Sequence, residues 1–114
     1  MSHSTNPLNS FLDGMESLGK EAPDVFSAFE NTESRVFAPG SLDARTKHLI
    51  AIGICACIRC RHCAARHVSE ALKAGASREE LIEAATVAVA LGGSPALSYV
   101  ATTFREALDE LGIV

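Results

Sequence analysis

Ten consecutive residues, 49–58 (Leu-Ile-Ala-Ile-Gly-Ile-Cys-Ala-Cys-Ile), carry no charged side chain and nothing more polar than two thiols. A helix made from them has no polar stripe. It must be covered on every side, at the centre of a domain or of an oligomer. The run is too short to cross a bilayer, which takes about 20 residues, so no membrane association is expected. The residues before it supply a helix start, with Ser41 or Asp43 as N-cap and Arg45 and Lys47 on the first turns. The expectation is a helix over residues 43–58 around which the rest of the chain packs.

The rest reads as further helix. Asn6-Pro7 suits an N-cap followed by the first helical position, and Leu8, Phe11, Leu12, Met15 and Leu18 recur at helical spacing to about Lys20. Ala22-Pro23-Asp24 restarts the pattern through Val25, Phe26, Phe29, Val36 and Phe37, with a break expected near Asn31-Thr32 and a stop at Pro39-Gly40. Ala64, Ala65, Val68, Ala71 and Leu72 predict a helix closed by Gly75 in the left-handed conformation. Ser77 and Glu80 form a capping-box pattern for the next helix, which Gly92-Gly93 breaks. Ser94-Pro95 opens a last helix that stops at Gly112. No segment alternates with period two, so no strand is expected. The fold class is all-α, about six helices joined by short turns in a single domain over residues 1–114.

A chain of 114 residues has a limited interior, yet 47% of its side chains are hydrophobic and the mean hydropathy is +0.17. The surplus apolar surface points to a second subunit, so a homo-oligomer is expected. A net charge of −4 and a pI near 5.5 oppose nucleic-acid binding. Residues 1–7 contain neither the basic nor the apolar stretch of a secretory signal, and a soluble cytoplasmic protein is expected.

All four cysteines fall between positions 55 and 63. Clustered thiols in a reducing compartment point to redox chemistry or metal, not to a framework of staples. Cys60, Cys63 and His67 lie within an arc of about 60° on one helix face at 100° per residue. Two thiols three residues apart at a helix start can close a disulfide, and the helix N-terminus favours thiolate at Cys60. Arg59, Arg61 and Arg66 add positive charge near the thiols. His67, one turn past Cys63, can carry protons to and from them; His62 points elsewhere on the helix and needs a partner from another one.

Other uses of these residues compete with that one. His48, Cys60, Cys63 and His67 offer the two nitrogens and two sulfurs of a structural zinc site. Cys57, Cys60 and Cys63 have the first three spacings of an iron–sulfur run, but His67 stands where the fourth cysteine belongs and no proline follows. Cys55 and Cys57, inside the apolar run, read as packing residues, as do Tyr99 and the phenylalanines. A non-catalytic oligomeric scaffold is a further alternative. No nucleotide-binding glycine pattern is present, and no cofactor is expected.

Cys60-x-x-Cys63-x-x-x-His67, with His62 between the cysteines, resembles the alkylhydroperoxidase D branch of the carboxymuconolactone decarboxylase family. The residues Leu42-Asp43-x-x-Thr46-Lys47-x-Leu49-Ile50-Ala51 look like that family's buried helix, and Gly75-Ala76-Ser77-x-Glu79-Glu80-Leu81 like its next junction. The resemblance covers about residues 36–110. It implies an all-helical homo-oligomer, commonly a trimer or hexamer, that reduces a hydroperoxide or a protein disulfide and is reset by an external dithiol. It implies Cys63 as the attacking thiol, Cys60 as its partner, and His62 and His67 in a proton relay. Members that decarboxylate lactones generally lack the cysteine pair. The family's relay glutamate, twelve residues before the first cysteine, is here His48. Along an unbroken helix His48 lies about 18 Å from Cys60, so their meeting requires a bend near residues 57–59 or a second helix. Glu33 and Glu70 are candidates to supply the missing carboxylate.

Overall fold

The computed structural model describes residues 7–113; Asn6, the expected first N-cap, and His3 lie outside them. Helix α1 spans Pro7–Glu21 and α2 spans Pro23–Phe37, hinged at Ala22 with Pro23 opening the second. The break expected near Asn31-Thr32 does not occur. Thr32 donates to the Ala28 carbonyl at 3.0 Å and Arg35 Nε to Asn31 Oδ1 at 3.3 Å, so both polar residues find their partners within the helix. No residue of α2 is buried. Its C-terminus is held from outside, by Lys47 Nζ donating to the carbonyls of Val36 (2.8 Å) and Ala38 (2.7 Å). Those are the acceptors that a helix end leaves unpaired.

Helix α3, Ala44–Ile58, starts where the sequence places it: Asp43 Oδ1 accepts from the Thr46 N–H at 2.8 Å. These Thr46 hydrogen bonds hold the Asp43 carboxyl below its ordinary range. The expectation that α3 is covered on all sides fails within one chain. His48, Ile52, Cys55 and Ala56 are buried, whereas Ile50, Ile54 and Ile58 remain 48%, 56% and 64% exposed. The open side runs into Val87 and Leu91 as an apolar groove of about 420 Å³.

At Arg59 the chain turns in the left-handed conformation (φ 58°, ψ 46°), and the Arg59 and Cys60 amides both reach the Cys55 carbonyl. The turn sends α4, Arg61–Lys73, back against α3. Gly75, at φ 95°, closes α4, with the Ala76 N–H returning to the Ala71 carbonyl at 2.9 Å. The Ser77–Glu80 capping box then opens α5, Arg78–Tyr99.

The break expected at Gly92-Gly93 falls on Gly93 (φ 67°, ψ −150°), inside α5. Gly92 has a different reason to be glycine: a Cβ there would stand 2.9 Å from the Ala96 Cβ. A π-helical turn, Val100–Phe104, and α6, Arg105–Glu110, complete the chain; the sequence reading did not anticipate the π turn. By length and composition the stretch Arg78–Glu110 could cross a membrane, which the uninterrupted apolar runs do not reveal. Gly93 interrupts it, and Leu81, Ala85, Ala88, Ala96 and Tyr99 bury a face of α5, whose main packing is against α3.

No strand occurs among the described residues, and the fold is all-α. Its core is built on Phe104, Ile52, Leu81, Leu108 and Val68, spaced by fully buried alanines such as Ala56, Ala64, Ala71 and Ala85. The small residues let backbones approach: the Cβ direction of Gly53 points at the Ala84 carbonyl, 3.3 Å away. Burial of each large side chain contributes about 1.5–3 kcal/mol. This fixes α3, α4 and α5 as a rigid frame, with α1 and α2 laid over one side of it.

Candidate functional site

The turn at Arg59 makes Cys60 the N-cap of α4, its Sγ accepting from the Cys63 N–H at 3.3 Å. Cys60 and Cys63 are joined as a disulfide with their Cα atoms 5.3 Å apart, inside the range such a bridge requires. The helix start thus brings the sulfurs together without distorting the rest of α4. Tyr99, from α5, donates its hydroxyl to the Cys60 carbonyl at 2.8 Å. Burial pushes the Tyr99 phenol well above its usual range, so it stays a neutral donor.

His67 lies one turn beyond Cys63 and meets His48 of α3, the two Nδ1 atoms 3.0 Å apart. Both rings are buried, each 8% exposed. Phe37, at the end of α2, stacks on His48 (centroids 4.4 Å, 7° between planes) and leans on His67 at 5.0 Å. A hydrogen bond between two Nδ1 atoms needs one proton, so the rings must hold complementary tautomers. The pair accepts one further proton without losing the bond, and a second would set N–H against N–H. Burial lowers the pKa of both rings. For His67 the neighbouring His48 and Arg66 add to burial and bring it to about 4. Glu70 and Glu33 pull the other way on both rings without reversing the outcome. At neutral pH the dyad is uncharged, and its lowered pKa makes it a weaker base than a free imidazole.

Cys63 and His67 open onto a cavity of about 370 Å³ under the α1–α2 arm. One end carries Cys63, His67, Arg66 and Glu33; Phe11, Met15, Phe26 and Phe29 make the walls apolar. Arg66 forms an ion pair with Glu33 and sits over the Phe11 ring, 5.5 Å from its centroid. These contacts hold the arm in place despite the absence of buried residues in α2.

His48 and Cys60, about 18 Å apart along a straight helix, are thus related through the left-handed turn and α4, and His48 touches His67, not the thiols. His62 is exposed on the first turn of α4, outside the walls of the Cys63 cavity. The three arginines do not converge on the thiols as expected: Arg66 is paired with Glu33, Arg61 stands 3.9 Å from Glu110, and Arg59 forms the turn. The zinc alternative is not assembled, because the histidines bond to each other and the cysteines to each other. Among the described residues no three His, Cys, Asp or Glu side chains gather as a metal would require.

Nor do the iron–sulfur spacings converge. Cys55 is buried, its thiol pushed up to about 11 by burial. Cys57, expected to be packed, is exposed along the α3–α5 groove, with its Sγ 3.7 Å from the Ala88 carbonyl. Tyr99, read from the sequence as core, is buried there and also meets the site through its hydroxyl, whereas Phe37, read likewise, is half-buried against the two histidines. The helical spacing that marked them as apolar carried no sign of what they would touch.

A family model for the carboxymuconolactone decarboxylase family matches residues 23–106. An uncharacterised protein of Cupriavidus necator is 35% identical over 82 residues, 72% of this chain and 73% of that protein. An uncharacterised protein of the cox locus of Paracoccus denitrificans is 36% identical over 82% of this chain and 80% of its own. Among solved structures, a carboxymuconolactone decarboxylase family protein of Legionella pneumophila superposes with a TM-score of 0.83 at 32% identity, covering 91% of this chain and 92% of that one. A family protein of Thermotoga maritima, whose description suggests involvement in an antioxidative response, superposes with a TM-score of 0.68 at 34% identity over 75% of this chain and 88% of that one. With the matched residues running from the start of α2 to the start of α6, the chain belongs to the carboxymuconolactone decarboxylase family.

Proposed function

We propose that this protein is a thiol–disulfide oxidoreductase that reduces a hydroperoxide or a protein disulfide through Cys60 and Cys63. The observation that carries the reading is a disulfide closed over the first turn of α4, with Cys63 on a cavity wall beside a histidine held neutral. The family relative described in connection with an antioxidative response agrees with it.

In the reduced protein His67 accepts the Cys63 proton and shares it with His48 across their hydrogen bond. The Cys63 thiolate attacks the terminal oxygen of a hydroperoxide, the O–O bond breaks, and the alkoxide takes a proton to leave as alcohol. Cys63 is now a sulfenic acid. The Cys60 thiolate attacks its sulfur, the S–O bond breaks, water departs with one proton, and the disulfide closes. With a disulfide substrate, Cys63 forms a mixed disulfide that Cys60 resolves, releasing the substrate as dithiol. An external dithiol then returns the pair to two thiols and is itself oxidised to a disulfide. Such cycling suits a reducing cytoplasm. The open groove along Ile50, Ile54, Val87 and Leu91 is the surface by which a homo-oligomer would form.

The test is thiol counting in a Cys57→Ser background, which removes the exposed bystander. Two thiols lost on hydroperoxide addition and regained with dithiothreitol support the cycle. Full peroxide and disulfide reductase activity in Cys63→Ser refutes the assignment of roles.

A further inference from the structure

A second cavity, different in kind from the one at Cys63, lies where Arg59 and Arg61 flank Cys60 in the chain; neither cysteine is among its lining residues. It encloses about 350 Å³ and is lined by Arg59, Arg61, Ser98, Tyr99, Thr102 and Thr103. It shares no lining residue with the Cys63 cavity. Arg59 and Arg61 flank Cys60 in sequence, and the Tyr99 hydroxyl is bonded to the Cys60 carbonyl, so the cavity wall is tied to the backbone of Cys60. No carboxylate is among the lining residues; Glu110 stands 3.9 Å from Arg61. Thr102 and Thr103 come from the π-helical turn, an irregularity that often marks functional sites. Thr102 commits its proton to the Ser98 carbonyl at 2.7 Å, and Tyr99 commits its own to Cys60. The donors for a guest are therefore the two guanidinium groups and the hydroxyls of Ser98 and Thr103.

Planar guanidinium groups beside hydroxyls suit a carboxylate, and the site is a poor host for an apolar molecule. On the thiol–disulfide reading above, the remaining reactant is the electron donor. We propose that this cavity docks the carboxylate of a small anionic thiol, whose sulfur reaches the adjoining Cys60 and resets the Cys60–Cys63 disulfide from a surface separate from the Cys63 cavity. The donor thiolate attacks Cys60 Sγ, forming a mixed disulfide and releasing Cys63 as thiolate, which is then protonated. The second thiolate of a dithiol donor, or that of a second monothiol molecule, attacks the donor sulfur, releasing Cys60 as thiolate, and the donor leaves as its own disulfide. Two thiols are oxidised and one disulfide is reduced.

The experiment follows reduction of the oxidised, full-length protein by 3-mercaptopropionate, 2-mercaptoethanol and cysteamine. Samples are quenched with an alkylating agent and read by mass spectrometry, with each rate corrected for its thiolate fraction. At low salt 3-mercaptopropionate is expected to exceed 2-mercaptoethanol by about fivefold, the scale of two solvent-exposed charge contacts, with cysteamine slowest. Its rate should saturate and should be competed by propionate at constant ionic strength. Arg59→Gln with Arg61→Gln should bring the ratio to about one, and Thr103→Val should lower it about threefold by removing one hydrogen bond.

An unchanged ratio in the double arginine variant overturns the proposal. So does a ratio that falls with charge but ignores Thr103→Val and propionate, since that describes a general field and no docking site. If 2-mercaptoethanol reduces the disulfide and the ratio is flat in the unmodified protein, only the docking site falls. If none of the three thiols reduces it, the redox reading itself falls.

Discussion

His67 makes the stability of the fold depend on pH in a way a single substitution can isolate. Its imidazole is kept neutral, with a pKa of about 4 against 6.5 for an unburied histidine. Between these values the unfolded chain binds a proton that the folded chain refuses. Stability is therefore complete above pH 6.5 and is lost as the pH falls towards 4. From the two pKa values, the loss attributable to His67 is about 2 kcal/mol between pH 7 and pH 5, and about 3 kcal/mol by pH 4.

His67→Gln keeps polar atoms at the site but does not titrate. Urea unfolding followed by far-ultraviolet circular dichroism, on oxidised protein at one fixed concentration, gives the free energy at each pH. His48 shifts in the same direction and is present in both proteins, as are the carboxylates, so the slopes are compared and not the absolute stabilities. The variant is expected to lose about 2 kcal/mol less than the parent between pH 7 and pH 5. Parallel curves refute the claim that His67 is buried neutral.

Three further outcomes are expected. Tyr99→Phe removes the donor to the Cys60 carbonyl and should cost about 1 kcal/mol in urea unfolding, leaving the pH slope unchanged. Glu33→Gln leaves Arg66, 29% exposed, without its partner; it should cost about 1–2 kcal/mol and speed proteolytic cleavage within α1 and α2 relative to the α3–α5 frame. Leu91→Glu, at an 85% exposed residue lining the apolar groove, should move the mass measured by multi-angle light scattering towards the 12.0 kDa of one chain, if the proposed oligomer uses that face.

The helical frame was legible because its signals are local. Asp43, Ser77 with Glu80, Gly75 and Gly93 each act on the few residues beside them: the first three signals begin or end an element, and Gly93 kinks α5. What the sequence could not convey is which side of α3 is covered. An apolar run without a polar stripe has no periodicity to mark a buried face, so Ile52 and Ile54 look alike although one is fully buried and the other 56% exposed. The break misplaced at Asn31-Thr32 has the opposite cause. Both residues favour turns in isolation, but within a helix their side chains reach partners four residues away and the preference is satisfied.

For the site, the limit of local reasoning lies at Arg59. The common face of Cys60, Cys63 and His67 follows from helical spacing alone, whereas His48 reaches His67 only because a non-glycine residue adopts a left-handed turn. Nothing in the identity of arginine announces that conformation. Its consequence changes the proton inventory. A carboxylate at position 48 would hold His67 as an imidazolium ion, already loaded at neutral pH. With His48 in that place, and with Glu33 neutralised by Arg66, the dyad stays empty until a proton is delivered to it. On the proposed cycle the first proton to move is the one leaving Cys63, and the empty acceptor one turn away is open to it while being a weaker base than an unburied imidazole. The same pair must protonate a departing group later, and a dyad with a low pKa gives up its proton readily. On that cycle, histidine at the position where the resemblance implies a glutamate would exchange a charged relay for a neutral one, with the working range set by the pH at which the dyad first takes a proton from solvent.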